Sequence, residues 1–249
     1  FRELGELDGL QELALTTNGT QLPRFAQDLQ RAGVSRINIS LDTLRPDRFR
    51  AMTRNGRLER VMAGLDAAQQ AGFARIKLNA VVLKNRNHDE THELVGFAIE
   101  RGLDISFIEE MPLGLVGDHD RAVCYYSSDE IRQDLARHYE LVPTAESTGG
   151  PSRYFRISGA ETRVGFISPH SHNFCEQCNR VRLTSEGRLL LCLGQEHSVD
   201  LRRVVRANPE DDGALRRAIV ASMDIKPRGH DFDLQAQPVI FRHMNHTGG

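Results

Sequence analysis

Four strand-like apolar runs alternate with helical patterns over the first 110 residues of this 249-residue chain. The runs cover residues 12–17, 36–42, 75–83 and 103–109, and the helical patterns cover residues 23–32, 58–71 and 89–101. Gly33, Gly72 and Gly102 follow the helical patterns, where glycine C-terminal caps are expected. This alternation predicts an α/β fold with a parallel sheet built from βα units.

Polar side chains lie at the C-terminal ends of all four runs, namely Thr16, Ser40, Lys77 with Asn79, and Glu109. In parallel α/β folds that edge of the sheet is where ligands bind. Any one of these residues is explained equally well as a strand terminator or helix cap. Four successive strand ends favour one shared pocket. Lys77 and Asn79 alternate with apolar residues, so they point to one face, and a lysine lining a barrel must face an anion.

Composition narrows the classes of function. The formal net charge of -2 argues against an extended nucleic-acid surface. No apolar run approaches the roughly 20 residues that span a bilayer, and no signal-peptide layout is visible, so we expect no membrane partner and a cytoplasmic protein. The sequence starts at Phe1, already close to an apolar run, and we expect that the N-terminal part of a larger domain is missing.

The character of the chain changes after Pro112. A glycine-containing loop is followed by a predicted helix near 128–138, short strands at 154–157 and 163–168, a cysteine-rich segment and a helix over about 209–223. The chain ends in two glycines. We interpret residues 113–249 as a smaller C-terminal α+β region that follows the barrel-forming residues 1–112.

Three of the four cysteines lie within eighteen residues. Cys175 and Cys178 form a C-x-x-C pair, and a predicted hairpin turning at Glu186-Gly187 brings Cys192 back beside them. This clustering favours metal ligation over a disulfide framework. Cys124 is interpreted as a lone buried or loop thiol.

Two kinds of metal site fit this spacing. One is structural zinc, with His170, His172 or His197 as the fourth ligand. The other is an iron–sulfur cluster with three cysteine ligands and one iron left open for another ligand. Spacing alone favours zinc, because closed Cys/His zinc sites are common.

Arg180 and Arg182 change this balance. They follow Cys178 at alternate positions of a predicted strand, so both guanidinium groups can point the same way. A solvated strand edge would explain them, but arginine pairs suit phosphate because each can donate two hydrogen bonds. A cationic pair beside an open metal position favours a site for a phosphorylated ligand.

Motifs along the whole chain resemble those of the bacterial GTP 3',8-cyclase family of molybdenum cofactor biosynthesis, which are radical S-adenosylmethionine proteins. They are L-T-T-N-G (15–19), R-I-N-I-S-L-D-T-L (36–44), K-L-N-A-V-V-L-K-N-R-N (77–87), F-I-E-E-M-P-L-G (107–114), C-E-Q-C-N-R-V-R-L-T-S-E-G-R-L-L-L-C-L (175–193) and the terminal Gly-Gly. The cysteine motif with its embedded arginines is the most specific of these. Under this resemblance, zinc becomes the minor alternative.

The resemblance implies an incomplete TIM-type barrel with two [4Fe–4S] clusters. An N-terminal cluster cleaves S-adenosylmethionine to a deoxyadenosyl radical, which abstracts the C3' hydrogen of GTP. The C3' radical attacks C8 of guanine and gives 3',8-cyclo-GTP. The C-terminal cluster binds the guanine base through its open iron. The product passes to cyclic pyranopterin monophosphate synthase, and a homodimer is left open.

The resemblance also implies roles for individual residues. Those matching GTP-binding positions are Thr16, Lys77, Arg180 and Arg182; those matching S-adenosylmethionine-binding positions are Ser40 and Met111; the C-terminal cluster ligands are Cys175, Cys178 and Cys192; and the tail residues with a supporting role are Gly248 and Gly249. The three basic residues would neutralise the triphosphate.

The sequence departs from the family pattern in two respects. The C-x3-C-x2-C and G-G-E-P motifs of radical generation are absent from these 249 residues, so we expect the chain as given to bind GTP without generating a radical. Ser106 stands where the family commonly has an arginine that binds triphosphate. A zinc-stabilised nucleotide-binding protein without radical chemistry is the alternative function. A radical enzyme acting on a peptide is disfavoured by the arginine pair and the Gly-Gly end.

Overall fold

The computed structural model describes residues 1–114, 119–236 and 240. These fall into two compact units. The first contains residues 1–110 and 124–171, and the second contains the described residues between 111 and 123 and from 172 onward. The domain boundary predicted at residue 112 stays a prediction. In the structure, residues 124–171 pack with the first unit.

The helices of the first unit are α1 (Arg2–Gly5), α2 (Leu22–Arg31), α3 (Pro46–Thr53), α4 (Leu58–Ala71), α5 (Thr91–Arg101), α6 (Arg121–Cys124), which overlaps the boundary, and α7 (Ser128–Leu135). Its strands are β1 (Leu13–Thr17), β2 (Val34–Ser40), β3 (Arg75–Val82), β4 (Asp104–Glu109), β5 (Leu141–Pro143), β6 (Arg153–Ile157) and β7 (Arg163–Ile167). The four N-terminal strands and three intervening helices that the sequence predicts are confirmed.

The strands form one seven-stranded sheet in the order β1-β2-β3-β4-β7-β6-β5. β1 to β4 are mutually parallel, β7 joins β4 in parallel, and β6 and β5 add in antiparallel fashion. The sheet is therefore mostly parallel, as an α/β fold requires.

The alternation of residues in the strands separates two faces of this sheet. Ile39, Leu78 and Phe107 are fully buried on the face that joins the main apolar core with the helices. The opposite face carries polar side chains and is called the polar face below. Gly72 and Gly102 adopt left-handed conformations at the ends of α4 and α5, so the predicted glycine caps are confirmed at both positions.

Sequence periodicity missed α3, which is short and strongly polar. Only Phe49 of this helix is buried, so no apolar stripe marks it. It is held instead by Glu90, a fully buried carboxylate that accepts hydrogen bonds from the Thr43 hydroxyl at 2.7 Å and the Leu44 amide at 3.0 Å and pairs with Arg48.

The second unit contains a three-stranded antiparallel sheet, with β8 (Arg182–Leu183), β9 (Arg188–Leu190) and β10 (Ser198–Asp200) in the order β10-β9-β8. Two helices follow, α8 (Leu201–Ala207) and α9 (Asp212–Ser222). Leu189, Leu191 and Leu201 form a small core between sheet and helices. Throughout the described residues, every helix is too short or too polar to cross a membrane.

Candidate functional site

The polar face of the first unit brings Thr16, Asn38 and Lys77 into one row. Thr16 lies beside Asn38 in the β1–β2 register, and Asn38 lies beside Lys77 in the β2–β3 register. The Asn38 amide donates a hydrogen bond to the Thr16 hydroxyl at 3.1 Å. Thr16 is exposed, whereas Lys77 is only 7% exposed. The strand pairing thus places two of the predicted GTP-binding residues on the same face.

Lys77 is a buried lysine that contacts a tyrosine. Its ammonium donates a hydrogen bond to the Tyr154 hydroxyl at 3.3 Å and lies 5.9 Å from the centroid of that ring. The Thr148 hydroxyl lies 3.2 Å from the same phenolic oxygen. Burial raises the pKa of Tyr154, but the charge of Lys77 and hydrogen bonds from neighbouring side chains outweigh it, so the net pKa is lowered. Tyr154 was not among the predicted site residues, because the short run R-Y-F-R-I indicates a strand but no partner for it.

Ser106, at the position where the family commonly has arginine, is fully buried. Its hydroxyl lies 3.0 Å from the hydroxyl of Ser152, and its strand neighbour is Gly165. A Cβ atom added at Gly165 would lie 2.6 Å from the Ser106 oxygen and 2.9 Å from Cε1 of Tyr154, and closer still to Ser152. Ser106 therefore packs tightly against hydroxyls and glycine and contributes no charge to the polar face.

The predicted strand-end residues differ in what they contact. Ser40 is exposed at the end of β2. Glu109, at the end of β4, accepts backbone hydrogen bonds from Ser128 at 2.8 Å and His170 at 2.9 Å, so it anchors two other segments of the first unit. Burial raises the pKa of Glu109, but the hydrogen bonds, first that of Ser171, outweigh it and the net pKa is lowered. Met111 belongs to the second unit.

Asp42 lies just beyond β2. Among the described carboxyl groups, its pKa shows the largest rise. Its side chain accepts a hydrogen bond from the Val81 amide at 2.8 Å. Burial raises its pKa from 3.8 to about 6, because desolvation disfavours the charged form more than this single hydrogen bond favours it.

The cysteine motif lies in the second unit, on a 3₁₀ turn and a hairpin. Cys175–Gln177 forms the turn, and β8 and β9 form the hairpin. Gly187 has a φ of +79° at the tip, where its amide donates to the Thr184 carbonyl at 2.9 Å. The predicted hairpin turning at Glu186-Gly187 is confirmed. Cys192 lies two residues after the end of β9.

The three thiols of Cys175, Cys178 and Cys192 are half-buried and close enough to influence one another. Burial raises the pKa of Cys178, but the backbone and side chain of Arg180 outweigh it, and the net pKa is lowered. The Arg180 guanidinium lies 3.7 Å from the Cys178 sulfur. Burial raises the pKa of Cys192, and the Cys175 and Cys178 thiols raise it further. Cys124 is buried in the first unit and forms no disulfide, in line with its interpretation as a lone cysteine.

Arg180 and Arg182 form a partly desolvated cationic pair. The Nε atom of Arg180 is buried without a hydrogen-bond partner, and its guanidinium lies 5.0 Å above the Phe174 ring. The pKa of Arg182 is lowered by burial first and by the charge of Arg180 second. Within the described residues, neither guanidinium pairs with a carboxylate. The arrangement has spare donors and uncompensated positive charge, which an anionic ligand would satisfy.

In the described part of the chain, no group of three or more His, Cys, Asp and Glu side chains is placed to hold a metal ion. Of the histidines considered as a fourth ligand, His170 belongs to the first unit, where its Nε2 lies 2.9 Å from the Glu110 carbonyl oxygen. The tail residues Gly248 and Gly249 lie outside the described residues.

Two protein-family models match almost the whole chain. The Radical SAM superfamily model matches residues 1–98, and the Molybdenum Cofactor Synthesis C model matches residues 103–232. Each match covers part of the motif series described above. Together the two matched ranges include the parallel strands and the cysteine hairpin.

Curated relatives extend this likeness over the full length. A GTP 3',8-cyclase of Pseudomonas entomophila is 61% identical over 247 residues, which cover 99% of this chain and 74% of that protein. A GTP 3',8-cyclase of Marinobacter nauticus is 57% identical over 248 residues, 100% of this chain and 75% of that protein. The GTP 3',8-cyclase 1 of Pseudomonas aeruginosa is 59% identical over 247 residues, 99% of this chain and 75% of that protein. The chain therefore belongs to the GTP 3',8-cyclase family of the radical SAM superfamily.

Proposed function

We propose that this chain acts in the conversion of GTP to 3',8-cyclo-GTP in molybdenum cofactor biosynthesis. The observation that carries the proposal is the cationic pair Arg180 and Arg182 beside three thiols, within a chain 56–61% identical to GTP 3',8-cyclases. The reaction class is that of a lyase. The fold is taken to be the incomplete barrel of the radical SAM superfamily, with residues 1–112 as barrel and 113–249 as the C-terminal region.

The cysteine motif fits a [4Fe–4S] cluster bound by Cys175, Cys178 and Cys192. Three half-buried thiols share one electrostatic neighbourhood, and a basic side chain lowers the pKa of one of them. When bound, such a cluster supplies an open iron that holds the guanine base. The second cluster and S-adenosylmethionine, with Ser40 and Met111 as ligands of the latter, complete the proposed cofactor set.

The basic residues carry the binding of the triphosphate. Arg180 and Arg182 present donors beside the cluster motif, and the buried Nε of Arg180 supplies a donor that is unused among the described residues. Lys77 adds a cation on the polar face, where Thr16 contributes a hydroxyl. Cations of this kind stabilise phosphate charge. Gly248 and Gly249 are proposed to support the site as a tail.

Metal analysis after anaerobic purification tests the proposal. We expect iron and sulfide in the amounts of a [4Fe–4S] cluster, and we expect GTP to bind in preference to a peptide. Zinc in stoichiometric amount without sulfide would overturn it, particularly if replacing His172 released the metal. The product is expected to pass to cyclic pyranopterin monophosphate synthase.

A further inference from the structure

The ladder between β8 and β9 ends before it reaches the cysteines. Its last pair is Arg182 with Leu190, and the chain continues from there toward Cys178 on one side and Cys192 on the other. The ammonium of Lys226 donates hydrogen bonds to the Arg180 carbonyl oxygen at 2.9 Å and the Leu191 carbonyl oxygen at 2.6 Å. One side chain thus joins the two cysteine-bearing arms at the point where strand pairing stops.

The backbone of Lys226 is fixed by a hydrogen bond of its own. Its amide donates to the Met223 carbonyl at 3.2 Å, at the end of the 3₁₀ turn Met223–Ile225 that follows α9. The side chain is half-buried, and two of its three donors are used by carbonyl oxygens. A lysine committed in this way joins backbone segments, whereas a surface lysine that recruits anions keeps its donors in water.

The residues after Lys226 touch the other parts of the motif. Gln195 lies three residues beyond Cys192. Its side-chain amide nitrogen donates to the Gly229 carbonyl at 3.0 Å and to the Asp231 carboxylate at 2.8 Å. The side chains of Asn173 and His230 lie 3.3 Å apart. A Cβ atom at Gly229 would lie 3.9 Å from Cβ of Cys175, so this backbone passes beside the first cysteine.

The ammonium of Lys226 also lies close to two of the cysteines along the chain. The Leu191 carbonyl that it binds belongs to the residue before Cys192, and the Arg180 carbonyl lies two residues after Cys178. Its positive charge is therefore placed beside both arms.

We propose that Lys226 is a positioning residue that fixes the spacing of the Cys178 and Cys192 arms and places a positive charge beside the group they bind. This inference rests on the proposed function, because it takes the bound group to be an iron–sulfur cluster. Residues that orient ligands from outside the coordination sphere typically contribute 10- to 100-fold to metal affinity. Charge and hydrogen bonding around a cluster also set its reduction potential.

Three substitutions of Lys226 and one control separate these contributions in the full chain. Lys226→Met removes donors and charge, Lys226→Gln keeps two donors without charge, and Lys226→Arg keeps both donors and charge. Arg228→Met removes an exposed cation two residues further along the same segment. Each variant is reconstituted anaerobically with iron and sulfide, challenged with a chelator, and titrated to measure the reduction potential, and the thermal unfolding of the metal-free form is recorded.

We expect Lys226→Met to lose iron to the chelator at about 10- to 100-fold lower concentration, with Lys226→Arg and Arg228→Met close to the unmodified chain. Lys226→Gln should hold its cluster better than Lys226→Met but show a more negative reduction potential, which a purely structural role would not change. Equal chelator sensitivity and potential in all variants would overturn the inference. If Lys226→Met does not fold, Lys226→Gln decides the outcome through its potential. Uptake of zinc without sulfide by the unmodified chain would instead refute the proposed function.

Discussion

The ammonium of Lys77 lies 3.3 Å from the hydroxyl oxygen of Tyr154, on the polar face of the seven-stranded sheet. A buried lysine costs desolvation energy unless nearby groups stabilise its charge. Tyr154 supplies both a hydrogen-bond acceptor and the face of its ring, and the lowered pKa of its own hydroxyl reflects the same interaction. Tyr154 therefore fixes where the cation of Lys77 is presented.

Tyr154→Phe should weaken GTP binding by about 0.5–1.5 kcal/mol, because the ammonium loses one hydrogen bond that fixes its position. Isothermal titration with GTP measures this, and guanosine, which lacks phosphates, should bind with unchanged affinity. Tyr139→Phe is the matched control, since its hydroxyl donates to the His92 carbonyl in the same unit. If Tyr154→Phe has the same effect in a Lys77→Met background, Tyr154 does not act through Lys77.

Arg180→Ala and Arg182→Ala should each weaken GTP binding by about 1.5–3 kcal/mol, the range for a hydrogen bond to a charged group. The loss should shrink as salt is added, because screening weakens the phosphate interaction. Arg206→Ala, an exposed arginine of α8, serves as control. Unchanged dissociation constants for both variants would mean that the pair is only a solvated strand edge.

Asp42 should make the folded chain less stable as the pH rises from about 4 to about 6. Its pKa is raised from 3.8 to about 6, so the folded chain binds a proton over this interval that the unfolded chain has already released. Protonation thus stabilises the fold below about pH 4, and the gain is lost as the carboxyl ionises. The gap corresponds to at most about 3 kcal/mol.

Asp42→Asn should flatten this part of the stability profile, because the neutral amide keeps an oxygen acceptor for the Val81 amide. Urea unfolding at a series of pH values measures the free energy of unfolding. Parallel profiles for the variant and the unmodified chain between pH 4 and pH 6 would contradict the raised pKa.

Gly165→Ala should destabilise the first unit by about 1–3 kcal/mol, the usual cost of overpacking. The added methyl group would lie 2.6 Å from the Ser106 hydroxyl oxygen, inside the packing of the polar face. Gly150→Ala is the control, since the nearest atom to its added methyl group is 3.9 Å away. Denaturant midpoints give the comparison, and equal midpoints for the two variants would show that the contact relaxes freely.

The parallel strands were predictable because their apolar runs alternate with amphipathic helices, and those helices end at glycines. Gly72 and Gly102 mark helix ends in the sequence and adopt left-handed conformations in the structure. The hairpin between the cysteines was predictable for the same local reason, at Gly187. Local chemistry sets each of these features.

Long-range pairing was harder to anticipate from the sequence. Tyr154 and Lys77 are 77 positions apart in the chain, and the sequence near either residue does not indicate their contact. The hydrogen bonds from Lys226 to the Arg180 and Leu191 carbonyls could not be predicted from sequence motifs either. Every residue has a backbone carbonyl, so the residue type does not show which carbonyl accepts a hydrogen bond. All the site roles that the family resemblance implies, including those of the basic residues and the three cysteines, stay predictions.

β4 gains its second neighbour only when β7 is in place, since it pairs with β3 on one side and with β7 on the other. A chain that stops near residue 112 would leave the backbone amides and carbonyls of β4 unpaired along an exposed edge. Such edges invite intermolecular strand addition. During synthesis, the parallel strands would therefore stay prone to aggregation until residue 167 has left the ribosome. The second half of the chain thus covers the sheet edge that the first half leaves exposed.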